Sequence, residues 1–127
     1  MSNISEANDP NIPMGGAVVS RKALFPWGGT ADGQGALRVG LLAVSENWLE
    51  GCSQLKPGEL IYSDYIAVAK KTATELRAEG AEVVIAITHS REPNDLRLTK
   101  AVPEIDLLLG AFWLKFCNDH LKYHRRS

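Results

Sequence analysis

The chain has 127 residues, 45% of them hydrophobic, and a formal net charge of −1. This length predicts one domain with enough apolar side chains for a sizeable core. The small net charge gives no electrostatic case for binding a nucleic acid polymer or a membrane, and no apolar run approaches the roughly 18 residues of a membrane span.

The N-terminus and the cysteines favour a reducing compartment. The first 13 residues have neither the positive region nor the apolar region of a secretory signal. Cys52 and Cys117 lie outside any CxxC pair and do not make a disulfide framework. We therefore expect a soluble cytoplasmic protein with two free thiols.

The first third of the chain is weakly patterned. Residues 1–16 combine Pro and Gly with Asn, Ser and Asp, and predict a loop or flexible leader with little to bury. Residues 17–25 predict a strand of mixed exposure, and the glycine-rich residues 26–35 predict a long hairpin loop. This loop is not predicted to bind phosphate, because it lacks the strand–loop–helix context and the lysine of a P-loop.

A strand–helix–strand unit follows. Residues 37–44 and 82–88 are apolar runs typical of buried strands, and residues 63–79 predict the helix between them. Ser63 or Asp64 can cap its start and Gly80 its end. One apolar stripe should face the sheet (Ile66, Ala69, Ala73, Leu76), and the charged residues should face solvent (Lys70, Lys71, Glu75, Arg77, Glu79). A right-handed crossover makes the two strands parallel.

A third parallel strand is predicted at residues 105–109, after a short helix that Asn94 or Asp95 can cap and that runs to about Ala101. The carboxyl ends of parallel strands meet at one edge of a sheet, where open α/β sheets bind ligands. The residues placed at this edge are Ser45, Glu46, His89, Ser90, Arg91, Gly110 and Ala111.

His89 is the most informative residue at this edge. It could be a metal ligand, a general base, or a histidine bonded to a loop carbonyl, and one histidine alone is no site because zinc or manganese needs three or more ligands. Arg91 could hold an anionic substrate as a forked donor, with Asn94 beside it, or pair with Glu92 or Asp95. Other polar residues have structural interpretations: Asp95 at a helix start, Asp106 at a strand start, Glu46 and Asn47 in a loop.

Two further histidines, His120 and His124, have the i, i+4 spacing that could grip a metal on a helix. The glutamate that lies between the histidines of an HExxH motif is missing. This pair therefore does not predict a metalloprotease-type site.

Residues 88–110, THSREPNDLRLTKAVPEIDLLLG, resemble a segment of the calcineurin-like metallophosphoesterases, in particular the 5′-nucleotidase group. The family segment reads TH, then a spaced D, then LA..VP.ID.ILGGHDH, and GLLAVSENWLE and ELRAEGAEVVIAITH fit upstream in register. The resemblance covers residues 17–110 and implies a hydrolase with an α/β fold, an α-β-β-α sandwich of which this chain would hold a part.

The resemblance also implies a site of two divalent ions, of the Mn, Zn, Fe or Mg type, that hydrolyses phosphate esters such as nucleoside monophosphates. His89 matches a metal-ligand histidine of the family. The other ligand motifs (DxH, GDxxxxS, GNH) would lie before Met1, and residues 111–114 replace both histidines of GGHDH. We therefore expect a fragment that does not hold both metals by itself and has negligible activity.

These observations divide the chain into a leader (1–16), a partial catalytic domain (17–110) and a divergent basic and aromatic tail (111–127). The tail has four basic residues and one acidic residue, a net charge of +3. It is either a solvated terminus or a partner-binding segment, so the alternative function is a non-catalytic α/β module that binds through this tail. A third hypothesis is an unrelated α/β domain for a small ligand. The open edges of a partial sandwich also predict self-association.

Overall fold

The computed structural model describes residues 2–6, 9–13, 20–110 and 114–116. Within these residues, eight strands and two α-helices form a mixed α/β fold. In chain order they are β1 (Ile4–Glu6), β2 (Asp9–Pro13), β3 (Lys22–Trp27), β4 (Leu37–Ser45), β5 (Leu60–Tyr62), α1 (Tyr65–Ala78), β6 (Val83–His89), α2 (Glu92–Ala101), β7 (Leu107–Gly110) and β8 (Leu114–Phe116).

The larger sheet has five strands in the order β3-β4-β6-β7-β8. Its three central strands are parallel, and β3 and β8 lie antiparallel at its two sides. The fold class and the β-α-β unit predicted from the sequence are therefore confirmed, with strand ends that differ by one or two residues. The hairpin predicted around residues 26–35 joins β3 to β4.

Helix α1 is bounded by the two capping devices that its sequence predicts. The Asp64 carboxylate accepts a hydrogen bond of 2.9 Å from the Ala67 N–H. At the other end Gly80 has φ of +101°, and the N–H groups of Gly80 and Ala81 donate to the carbonyls of Arg77 and Leu76. This is a Schellman motif, and it requires a left-handed residue that glycine supplies without steric cost.

Both helices pack on one face of the larger sheet, where the apolar core lies. The core side chains of α1 face those of β4 and β6, while α2 and the segment after it cover β7. The innermost side chains are fully buried (Leu42, Val44, Leu76, Val84, Leu98, Val102, Ile105, Leu108). Neither α1, with 14 residues, nor α2, with 10, is long and apolar enough to cross a membrane.

The loop predicted for residues 1–16 is wrong at β1 and β2, which form a three-stranded sheet with β5. Ile4 is fully buried, and the buried Asn3 joins this sheet to the larger one. The Asn3 amide nitrogen donates to the carbonyls of Ser45 (2.8 Å) and Ser63 (3.2 Å), and its oxygen accepts from the Ser45 N–H (3.1 Å). A polar segment is buried here because its side chains bond to backbone groups.

Arg77 differs from the sequence prediction, which places it in solvent, because it is half-buried in a hydrogen-bond hub. Its guanidinium donates to the Asp106 carboxylate (2.6 Å) and to the carbonyls of Glu82 (2.7 Å) and Glu104 (2.9 Å). The same Asp106 oxygen accepts from the Val84 N–H at 2.8 Å. Asp106, placed at the start of the third strand by the sequence, thus fixes the segment before β7 to β6.

The tail predicted for residues 111–127 lies outside the described residues apart from β8. Leu114–Phe116 pairs antiparallel with β7. His120, His124 and Cys117 also fall outside the described part, and Cys52 is a free, half-buried thiol.

Candidate functional site

The three parallel strands end at the same edge of the sheet, as their order predicts. Ser45 pairs with His89, and Thr88 pairs with Gly110, so the ends of β4, β6 and β7 are adjacent. Along β6, Thr88 points to the buried helix side, while His89 is exposed. No residue within the described ranges forms a hydrogen bond with the His89 imidazole.

Glu46, which follows β4 directly, is the centre of a polar cluster beside His89. Its carboxylate accepts hydrogen bonds from the Arg91 side chain Nε (2.9 Å), from the Arg91 backbone N–H (3.3 Å) and from the Asn94 amide. Its own backbone N–H donates to the Ser90 hydroxyl at 3.1 Å. The loop after β4 therefore donates a hydrogen bond to the loop after β6 and also accepts hydrogen bonds from it.

These bonds set the charge state of Glu46. Burial acts to raise the pKa of its carboxyl, but the hydrogen bonds from Asn94 and Arg91 and the positive charge of Arg91 outweigh it, so the pKa lies below its ordinary value. The Arg91 side chain is 81% exposed and that of Glu46 is 20% exposed. An ion pair this open to water contributes only about 0–1 kcal/mol to stability. The main effect of the Glu46–Arg91 pair is to hold the loop after β6 against the loop after β4.

Arg91 and Asn94 are the residues predicted to contact an anionic substrate. The structure brings them together, and the anion that both bind is the carboxylate of Glu46. The sequence offers Glu92 or Asp95 as an alternative partner for Arg91. The ion pair that the structure shows is with Glu46, and the Asp95 carboxylate has no hydrogen-bond partner among the described residues. The guanidinium uses Nε for its bonds with Glu46, and its terminal nitrogens face the solvent. One signal in the sequence points to Glu46: it directly follows Ser45, the last residue of β4, and parallel strands that end at the same edge bring Ser45 beside His89.

Asp95 lies in the first turn of α2, as predicted, but it does not cap the helix. The N-cap residue is Arg91, and it provides no side-chain cap. Asp95 is only 5% exposed, and neither carboxylate oxygen has a hydrogen-bond partner among the described residues. Burial raises its pKa to about 6, against a smaller opposing effect of the nearby Thr88 hydroxyl, and the charge of Glu46 raises it further. Thr88 lies near Asp95 without forming a well-shaped hydrogen bond to it.

An apolar groove adjoins the edge on the side of the sheet that faces away from the helices. Its walls come from the ends of the three parallel strands (Ala43, Val44, Ile87, Thr88, His89, Leu109, Gly110). Among the described residues that line the groove, His89 is the one with a charge-capable side chain. The groove can take an apolar group beside an imidazole.

The described residues do not assemble a metal centre. Across residues 2–6, 9–13, 20–110 and 114–116, no three His, Cys, Asp or Glu side chains are grouped so that they could hold an ion. The nearest carboxylate network, at Glu46, is already bonded to Arg91 and Asn94. A two-metal site therefore does not fit this set of side chains, and His89 contributes one potential ligand.

No protein-family model matches the chain, and no curated protein sequence is significantly similar to it. Among solved structures, the chain is similar to a 5′-nucleotidase precursor from Thermus thermophilus, with a TM-score of 0.69 and 19% identity over 96% of this chain. It is also similar to the NAD nucleotidase NadN from Haemophilus influenzae, with a TM-score of 0.66 and 18% identity over 93% of this chain. The chain spans 23% and 22% of those two chains, respectively. It therefore has the fold of a segment of these nucleotidases.

Proposed function

We propose that this chain is a segment of a metal-dependent phosphoesterase of the 5′-nucleotidase type, in which His89 is a metal ligand. The observation that supports the proposal best is the position of His89: it ends the central parallel strand of a fold shared with a 5′-nucleotidase and an NAD nucleotidase. The exposed guanidinium of Arg91 beside it is suited to a phosphate ester, since its fork can bind two oxygens.

The same proposal includes negligible hydrolysis by the chain alone. A dinuclear site needs several carboxylate, imidazole or amide ligands around each ion, and His89 is one. Two carboxylates that follow β4 and β6 are not open to a metal ion: Glu46 is bonded to Arg91, and Asp95 is buried.

The test is a phosphatase assay of the purified chain with added Mn²⁺, on AMP and on p-nitrophenyl phosphate. We expect phosphate release no faster than in the His89→Ala variant, which serves as the background. Turnover that is present in the natural chain and lost in His89→Ala would show that a working metal site forms without further ligands.

We also propose that the chain self-associates. The contact would use its open sheet edges or the face of the larger sheet that points away from the two helices, here called the outer face. The outer face presents apolar side chains from the central strands, among them Ile87, which is 41% exposed. Leu37 at the start of β4 is 40% exposed, and Trp27 at the end of the outer strand β3 is 68% exposed. Apolar side chains in such a patch favour contact with another apolar surface.

A further inference from the structure

We propose that Glu46 is a positioning residue: it holds the loop between β6 and α2, and with it the backbone that presents His89. The role of His89 in this inference rests on the proposed function. The contacts that carry it do not, because they are formed by the chain alone.

The first observation is the reciprocal bonding of the two loops. The Glu46 N–H donates to Ser90, and the Glu46 carboxylate accepts from the Arg91 N–H, the Arg91 guanidinium and the Asn94 amide. One residue of the loop after β4 therefore contacts three residues in the five that follow His89. A rotation of either loop would break several of these bonds at once.

The second observation is that α2 has no cap from its own sequence. Arg91 occupies the N-cap position with an extended backbone, and its side chain turns instead to Glu46. A carboxylate at the start of a helix also interacts favourably with the positive end of the helix dipole. The first turn of α2 contains Glu92 and Asp95, but its N-cap side chain forms no capping hydrogen bond. Glu46 thus supplies, from the loop after β4, a carboxylate that accepts from the N–H of the N-cap residue.

The third observation concerns His89 itself. Its imidazole has no hydrogen-bond partner in the described part of the chain, so its position is set by its backbone. The β4–β6 ladder holds that backbone up to the pair Ser45–His89, where pairing ends. The next fixed points along the chain are Ser90 and Arg91, and both are fixed by Glu46.

The experiment uses NMR on the metal-free chain and compares Glu46→Ala and Glu46→Gln with Glu75→Ala. Glu75 is a matched control, because it forms an ion pair of the same length, 2.9 Å, with Lys22 far along the chain from His89. The two readouts are the imidazole Cε1–H signal of His89 and the amide exchange of Asn94 and Asp95, whose N–H groups donate to the Arg91 carbonyl.

In Glu46→Ala we expect the Asn94 and Asp95 amides to exchange about 10-fold faster, because the first turn of α2 opens locally without global unfolding. The His89 signal should shift or broaden, while the amides of Ile85 and Ala86 in the middle of β6 keep their exchange rates. Glu46→Gln should lie between, because its amide oxygen still accepts hydrogen bonds. Glu75→Ala should leave the His89 signal in place.

The inference is overturned when Glu46→Ala and Glu75→Ala give the same His89 signal and the same Asn94 exchange. If Glu46→Ala does not fold, Glu46→Gln and Arg91→Ala are compared with Glu75→Ala instead. An unchanged His89 signal in both of these variants also overturns the inference. Neither readout involves metal or substrate. The positioning role of Glu46 can therefore be supported even if the phosphatase proposal fails, and the phosphatase proposal can be supported even if the positioning role fails.

Discussion

Asp95 shows how a single residue can act against the stability of its own fold. Its carboxyl group is buried at the start of α2, and both oxygens lack a hydrogen-bond partner among the described residues. An ionised carboxylate in such a place loses its hydration without compensation, and for that reason its pKa rises from 3.8 to about 6. The protonated form is the one that the folded chain tolerates.

We predict that Asp95→Asn stabilises the chain at neutral pH. Because the folded-state pKa is raised, the favourable contribution of Asp95 is complete below pH 3.8 and is lost as the pH rises through about 6. The shift of roughly two units corresponds to about 3 kcal/mol at pH 7.5. Urea unfolding of both proteins from pH 4 to pH 8 measures it, and the difference between them should grow across this range. A difference that is equal at pH 4 and pH 7.5 would assign the effect to something other than ionisation.

Which residues the sequence can identify depends on how local their interactions are. Asp64 and Gly80 are predictable as caps because the groups that they satisfy lie within a few residues. His89 is predictable because it follows an apolar strand. The bonding roles of Glu46, Asn3 and Arg77 are not predictable from the sequence. Each of these side chains bonds to a group more than 25 residues away in the chain, which only the folded structure brings close.

At the scale of elements, α1 and the turn after it approach β4 closely at Gly40. A Cβ atom placed on Gly40 would lie 3.0 Å from the Cβ of Ala81 and 3.1 Å from a methyl group of Leu76. These neighbours are buried in the core and have little room to move. The missing side chain therefore lets the helix lie directly on the sheet.

We predict that Gly40→Ala lowers the free energy of unfolding by about 1–3 kcal/mol, because overpacking forces α1 away from β4. Gly51→Ala is the matched control, since a Cβ at Gly51 meets no atom within 4 Å and Gly51 is not among the glycines with positive φ. Urea unfolding of the two variants makes the comparison. Equal stability of both variants would mean that the core yields at this contact.

Long elements with a clear period are predictable here, and short polar ones are not. The apolar runs of β4 and β6 and the capped, striped α1 each carry several independent signals. Strands β1 and β2 have three and five residues, and β2 contains Pro10 and Pro13. Proline is compatible with β2 because it is an outer strand of its sheet, but in sequence it indicates a loop.

For the whole molecule, the two faces of the larger sheet differ. Along β6, the side chains on the helix side are buried (Val84, Ala86, Thr88), whereas those on the other face are half-buried or exposed, ending with Ile87 and His89. Strands in parallel sheets are normally covered on both faces. The apolar side chains on both faces of β6 predict a strand that is buried on both sides. The described residues cover the helix side of β6 but not its outer face.

We predict that the natural chain forms concentration-dependent oligomers and that Ile87→Lys shifts it towards the monomer, because a charge at the centre of the outer face must be desolvated in any contact there. Sedimentation velocity over a range of protein concentrations measures the shift. Ala78→Lys adds the same charge at an exposed position in the last turn of α1 and should leave the oligomers unchanged. If the natural chain sediments as a monomer at every concentration, the outer face does not mediate self-association. If Ala78→Lys acts as strongly as Ile87→Lys, net charge rather than the outer face controls association.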